Sequence, residues 1–508
     1  MFLFNGNFWT GDAANPWAKE IFVQDGKIVA VDNNADAALR RAVDEQFTLP
    51  GAVATRGLYD GHNHHLFVLV EGAIDLGILG SMRTADNREL AVRELLRAEL
   101  DRRPEGCVLM TNWSFDADKG LPASALRRAI NEVAHGREVM ALQVSWHNAV
   151  LSHRLEQRSR TAFSGVAGLN GRLEAGVVYE DWVLQTLGLL ELDQDELRER
   201  ILRRQHTLFG RGITSMFDKL ILGRAQLDAM VGLSCSGQLI MPTQGAVQPI
   251  FAFGDRKVMP GWYGESLNVT HLKYLADGAF GAQNAWMGRR YSYCDGTHGE
   301  LYWPHDALVK RHLIEWQELG GSGVATHCIG PGATAHVLNA YEQLMRLIDD
   351  EDFVFSLEHF EAVTSDMVWR AAKLQAAMNL TVCSQPAFCE DLAMTDRLPP
   401  EVLALINPYY TFHTEGLKWH GGTDGPITGD DYLGGMAMAV NRTDDQAVTA
   451  DLVFSRCTEG PIAVGEPFNV ICLDSDPFVT PDTMVTPQVL QTWLNGNKVF
   501  DRADEPVD

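Results

Sequence analysis

The chain has 508 residues, 46% of them hydrophobic and 21% charged, which is globular composition and excludes a disordered chain. Its 42 Lys and Arg against 67 Asp and Glu give a net charge of −25, so an acidic surface argues against nucleic acid as a partner. The eight cysteines are scattered without a CxxC pair, as reduced thiols are, and no run of about 18 apolar residues predicts a membrane span.

The N-terminus opens on Phe2-Leu3-Phe4 and turns at Asn5-Gly6, a strand and a turn rather than a secretion signal. A cytoplasmic protein is the expectation. Glu20 to Gln24 and Lys27 to Val31 read as strands joined by an Asp25-Gly26 hairpin. Asn469 to Leu473, Val489 to Leu494 and Lys498 to Phe500 are predicted strands at the other end. Two β-rich ends around a mixed middle predict one small β-sandwich domain built from both termini, residues 1–55 and 456–508.

Between them, short apolar runs alternate with helical patterns. Val108 to Thr111, Val139 to Val144, Ile213 to Phe217, His271 to Leu275, Gly323 to His327, Phe353 to His359, Thr381 to Gln385 and Lys418 to Asp424 are candidate strands. Arg88 to Leu100, Gln194 to Phe209, His305 to Leu319 and Ala333 to Leu347 carry helical periodicity. This many strand–helix units predict an α/β fold, a (β/α)8 TIM-type barrel over residues 56–455. The stretch from about 80 to 210 is expected to hold an insertion that covers the site.

The sharpest motif is Asp60-Gly61-His62-Asn63-His64-His65. Residues two apart in a strand point the same way, so His62 and His64 can reach one metal while Asn63 faces elsewhere. Lys273, His327, His359 and Asp424 each stand at or near the C-terminal end of a candidate strand. Barrel sites are assembled from those ends, so the residues are expected to converge. Any one of them alone reads as a polar strand cap.

The order HxH, Lys, His, His, Asp resembles the amidohydrolase superfamily, and within it the amidohydrolase-3 branch that includes N-substituted formamide deformylases. Leu49-Pro50-Gly51, Asp277-Gly278, Ile329-Gly330, Glu358-His359, Ser384-Gln385-Pro386, Thr423-Asp424-Gly425-Pro426, Gly465-Glu466-Pro467 and Asp474-Ser475-Asp476-Pro477 carry the likeness over nearly the whole chain. The resemblance implies that His62, His64 and Asp424 hold the more buried ion. It implies that His327 and His359 hold a second ion or complete a single site. Lys273 matches a lysine that some relatives carboxylate to bridge two ions; as a plain ammonium it has no lone pair to give. Asp424 would also be the proton shuttle. One or two divalent ions are implied, zinc by default, with iron, manganese and nickel compatible.

Two features depart from the family pattern. Pro331-Gly332 stands where relatives often have an acidic residue after the glycine, and the run from Arg442 to Gly465 is shorter than expected. His65 reads as a residue behind the ligands. Trp113, Trp146 and His147 match positions where the family places pocket residues, Glu180 matches a family motif, and Phe280 follows Asp277-Gly278 in a candidate aromatic wall. All five are candidate substrate contacts, with His147 a candidate catalytic donor to the substrate carbonyl or oxyanion. Each also reads plainly, as core, pairing or surface residue. Trp286 and Tyr291 extend the same candidate aromatic wall. The implied reaction is metal-dependent hydrolysis of a non-peptide C–N bond in a small molecule: an N-acyl, N-formyl or cyclic amide. Deamination and ester or lactone hydrolysis use the same machinery, and the residues do not separate them. A catalytically inactive scaffold is the rival from another class, set back by the complete ligand set. A homodimer is the family expectation.

Overall fold

The computed structural model describes all residues except 104, 115–119, 144–145, 147, 167–168, 170, 255–256, 349, 388–396, 481 and 506–508, and the side chains of 33, 66 and 67. Eight parallel strands form the central sheet: Leu58–Asn63, Ile213–Ile221, Thr243–Val247, Leu267–Leu275, Gly323–Cys328, Val354–His359, Leu380–Ser384 and His420–Gly421. They lie in chain order, and a parallel bridge between Asn63 and Gly425 brings the last strand back to the first. This is the expected (β/α)8 barrel. The strands read as near-continuous buried runs; Ile213–Ile221 is buried at all nine positions. That pattern follows from a parallel sheet covered by helices on its outer face.

The covering helices start where side chains satisfy their free N–H groups. Asp193 accepts from Asp195 and Glu196 at the head of Gln194–Gly210, and Thr364 accepts from Met367 at the head of Ser365–Ala377. Pro331 opens Pro331–Leu344, a position where its missing N–H costs nothing. The Gly330-Pro331-Gly332 run has a packing reason. A Cβ on Gly330 would meet the Trp286 carbonyl oxygen at 2.3 Å, and one on Gly332 would meet the Gly288 nitrogen at 2.3 Å. The glycines let the 286–288 backbone lie directly against the helix start.

Two expected barrel strands belong elsewhere. Val108–Trp113 and Val139–Gln143 pair in a separate six-stranded sheet with Ile74–Asp75, Asn148–Leu151, Leu173–Glu174 and Val177–Tyr179. Local apolar patterning cannot say which sheet a strand joins. The barrel's own third strand, Thr243–Val247, is short, carries Gly245 and escapes the pattern. The inserted sheet leaves the barrel after the first strand and packs its own core of Leu76, Val92, Leu96, Trp113, Leu126 and Ile130.

The two ends of the chain share a third sheet of eight strands, ordered so that Val470–Leu473 lies antiparallel to Val53–Arg56. Phe4 from one end stacks on Phe468 from the other, with ring centroids 4.1 Å apart. Asp25 and Gly26 both adopt positive φ in the hairpin before Lys27–Val31, as a two-residue turn of that type requires. Among the described residues no helix is long and apolar enough to cross a membrane.

Candidate active site

The first strand ends at Asn63, with His62 inside it and His64 one residue beyond. The Asn63 side chain bonds to neither imidazole, and its Oδ1 accepts from the His64 backbone N–H at 2.8 Å. Its Nδ2 donates to Asp60 Oδ2 at 2.8 Å and to Thr423 Oγ1 at 3.0 Å, and its Oδ1 accepts from Arg204 Nη2 at 3.0 Å. Asp60 is fully buried and also accepts from the backbone of His62 (3.2 Å) and of Thr423 (2.9 Å). Burial pushes its carboxyl up to about 6 against hydrogen bonds led by those of Thr423. The clamp locks the first strand to the eighth, and the Asp424 backbone N–H completes it by donating to the His62 carbonyl at 2.7 Å.

This register brings the predicted residues together. His62, His64 and Asp424 offer ligand atoms that all lie within 4.8 Å of one another, and all three are buried. Asp424 Oδ1 stands 2.9 Å from His64 Nε2 and 3.5 Å from His62 Nε2. Two donors that share one ion at about 2.0–2.1 Å are about 2.9 Å apart at a right angle and about 3.4 Å apart at a tetrahedral one. Both spacings therefore suit a common ion. Asp424 adopts φ +55°, an uncommon conformation for a non-glycine, as does His359 at +69°.

The other two histidines continue the row. Ring centroids run 4.6 Å from His62 to His359 and 4.4 Å from His359 to His327. His359 Nδ1 lies 2.9 Å from Gln385 Oε1, and His327 Nε2 lies 2.9 Å from the Gly278 carbonyl oxygen. Both partners only accept, so His359 donates through Nδ1 and His327 through Nε2. Burial holds His62 and His359 well below the ordinary imidazole range, the neutral form a ligand needs. Lys273 is buried, its Nζ makes no hydrogen bond among the described residues, and burial lowers its pKa to about 8. His65 lies behind the row, 3.6 Å from Asp218.

Several residues around the site escape the sequence reading. Lys219, buried at the end of the second strand, donates to Glu358 Oε1 at 2.9 Å. Asp218 beside it accepts from the His65 and Leu220 backbone. The two charges between the apolar residues Phe217 and Leu220 were the available signal. Asp277 belongs to the Asp277-Gly278 motif but had no role assigned from sequence; it accepts from the Ile329, Gly330 and Trp286 backbone, tying the loop after the fourth strand to that after the fifth. Arg204 pairs with Asp430, beyond Asp424.

The candidate substrate contacts divide. Trp113 is fully buried in the core of the inserted sheet, and its indole donates to the Leu121 carbonyl at 2.9 Å. Phe280 is buried in a satellite core with Ala285, Met287 and Tyr293. Trp146 is half-buried with φ +63°, and Glu180 takes φ +56°. His147 lies outside the described residues. The antiparallel pairing of Asn148 with Tyr179 places Trp146 and Glu180 at the same end of two neighbouring strands of the inserted sheet. Glu180 accepts from Asn284 at 3.3 Å, so that end reaches the loop after the fourth barrel strand.

A parallel barrel that gathers imidazoles and a carboxylate at the C-terminal ends of its strands defines the class: a (β/α)8 protein with a site that could hold a divalent ion. The chain belongs to the Amidohydrolase family, whose sequence profile matches residues 48–500. It is 27% identical over 258 residues to the putative amidohydrolase YtcJ of Bacillus subtilis, covering 46% of this chain and 47% of that protein. It is 24% identical over 384 residues to the protein LONG AFTER FAR-RED 3 of Arabidopsis thaliana, covering 70% of this chain and 63% of that one. The matches thus span about half to under two thirds of these relatives. Among solved structures, an uncharacterized metal-dependent hydrolase from Pyrococcus horikoshii superposes with a TM-score of 0.71 at 20% identity, over 95% of this chain and 99% of that one. That likeness is one of fold.

Proposed function

We propose that this family member is a metal-dependent hydrolase that cleaves a carbon–nitrogen bond other than a peptide bond in a small molecule, an N-acyl, N-formyl or cyclic amide. The observation that carries the reading is the convergence of His62, His64 and Asp424 within 4.8 Å, with His359 and His327 next in the row. Imidazoles beside a carboxylate suit zinc, with iron, manganese and nickel compatible. A divalent ion held there supplies Lewis acidity toward the scissile carbonyl and lowers the pKa of the attacking water.

The chain's own groups do the rest. His62 and His64 present ring nitrogens to the ion, and Asp60 and Asn63 hold the strand that carries them. Asp424 takes the proton of the attacking water and returns it to the leaving nitrogen. Burial lowers the pKa of Lys273, which raises the share of neutral amine able to add carbon dioxide, forming an N–C bond and releasing a proton. A carbamate there would be an anionic oxygen ligand for a divalent ion. Glu180 and Trp146, at the ends of two neighbouring strands of the inserted sheet, contact substrate above the row. The seven described cysteines are all free, which supports a reducing compartment such as the cytoplasm.

The test is metal content per chain by inductively coupled plasma mass spectrometry, on untagged protein purified without chelators. About one or two equivalents of a transition metal are expected. Protein that holds no metal and ignores added zinc and manganese would overturn the reading. In the loaded protein, Asp424→Asn should lower turnover of an N-formyl or N-acyl amide by about 100-fold or more with the circular-dichroism spectrum unchanged.

A further inference from the structure

Glu358 takes no part in the proton transfers above, yet its carboxylate gathers three side chains in the barrel interior near the row. It is fully buried on the sixth strand, two residues from Ser356, so both point inward. Its Oε1 accepts from Ser356 Oγ at 2.6 Å and from Lys219 Nζ at 2.9 Å. Its Oε2 lies 2.7 Å from His62 Nδ1. Three strands, the first, second and sixth, thus meet on one carboxylate across the barrel.

The arrangement decides how His62 is presented. A carboxylate already taking two donors on one oxygen offers only lone pairs on the other, so the imidazole donates through Nδ1. Its lone pair then lies on Nε2, the nitrogen 3.5 Å from Asp424 Oδ1. Lys219 supplies the opposite charge that a fully buried carboxylate needs, and Ser356 fills a further acceptor site. No other described cation or hydroxyl bonds to this carboxylate.

We propose that Lys219 and Glu358 are positioning residues for His62: the pair fixes the imidazole tautomer and aims Nε2 at the ion. The proposal rests on the metal-centre reading above. Carboxylates behind histidine ligands act this way in metal sites generally, and their loss costs 10–100-fold in metal affinity. Substituting Glu358→Gln keeps the shape. The amide oxygen stays with Lys219 and Ser356, and the NH2 then faces His62 Nδ1. The ring can meet that donor only by carrying its own proton on Nε2, which removes the ligand lone pair.

The experiment compares wild type, Glu358→Gln, Lys219→Met and the double variant. Zinc affinity is read by competition with a chromophoric chelator, and coordination by the visible spectrum of the cobalt(II) protein. Each variant should bind zinc about 10–100-fold more weakly and show an altered cobalt spectrum. The double variant is neutral, so it should keep the wild-type fold by circular dichroism even where a single variant leaves an unpaired charge. Folded variants with wild-type affinity and an unchanged spectrum would overturn the proposal and leave the metal centre standing. A double variant that does not fold would overturn it too, since the pair would then be holding the core. Wild type that takes up neither zinc nor cobalt would overturn the metal reading itself, and this proposal with it.

Discussion

At the residue scale, the site depends on buried polar groups that bond to each other rather than to water. Asp60, Asn63 and Thr423 close one network; Glu358, Lys219 and Ser356 close another. Asp218 belongs to neither. Burial pushes its carboxyl up from 3.8 to about 6, opposed by His64 and by the N–H groups it accepts from. The folded chain therefore keeps a proton that the unfolded chain gives up across that window. Stability contributed at this position is greatest below pH 3.8 and declines until about pH 6, with a slope of at most about 1.4 kcal/mol per pH unit. Asp218→Asn removes the titration. Relative to wild type, the variant should gain stability as pH rises from about 4 to 6, read as the difference in urea midpoints. A constant difference across that range would show that Asp218 does not hold a proton in the fold. The histidines and Asp424 were legible from sequence because each type and spacing carries its chemistry. Lys219 was not, since a lysine at a strand end reads as a surface residue until the fold shows it buried.

Among the elements, the helix Gln194–Gly210 does more than cover the barrel. Arg204 reaches from it to both oxygens of Asp430 and to Asn63 Oδ1, joining the return from the insertion to the loops of the first and eighth strands. Both charged side chains are nearly buried, at 11% and 12% exposure, so removing one leaves the other without its partner. Arg204→Met should destabilise the protein by about 3 kcal/mol, measured by urea unfolding. A loss below about 1 kcal/mol would class the pair with surface ion pairs. Most element boundaries followed the sequence closely: Lys27–Val31 and Val489–Leu494 appear as expected. Val108–Trp113 and Val139–Gln143 were right as strands and misplaced as barrel members. Their apolar runs fit either sheet equally well.

Across the whole molecule, the chain closes on itself. Phe4 packs between Phe47, Phe468 and Trp493, so the N-terminal strands are complete only when the C-terminal ones arrive. Phe468 is fully buried, and Phe468→Ala should cost about 3–5 kcal/mol. That is a large share of the 5–15 kcal/mol typical of a folded domain. The prediction is a large fall in the unfolding midpoint. A fall of less than about 1 kcal/mol would mean that the ends fold independently of each other.

The sequence by itself determined the barrel, the shared terminal domain and the metal-ligand candidates. Periodicity is a local property, and the HxH, His, His and Asp positions follow the strand ends that it reveals. Only the tertiary structure decided which sheet each strand joins, that Trp113 and Phe280 are enclosed in core, and that Lys219 and Glu358 stand behind His62. Those facts depend on contacts between residues hundreds of positions apart, such as Asp60 with Thr423 and His62 with Glu358. No local pattern encodes such pairings, because each partner's burial exists only once the barrel has closed.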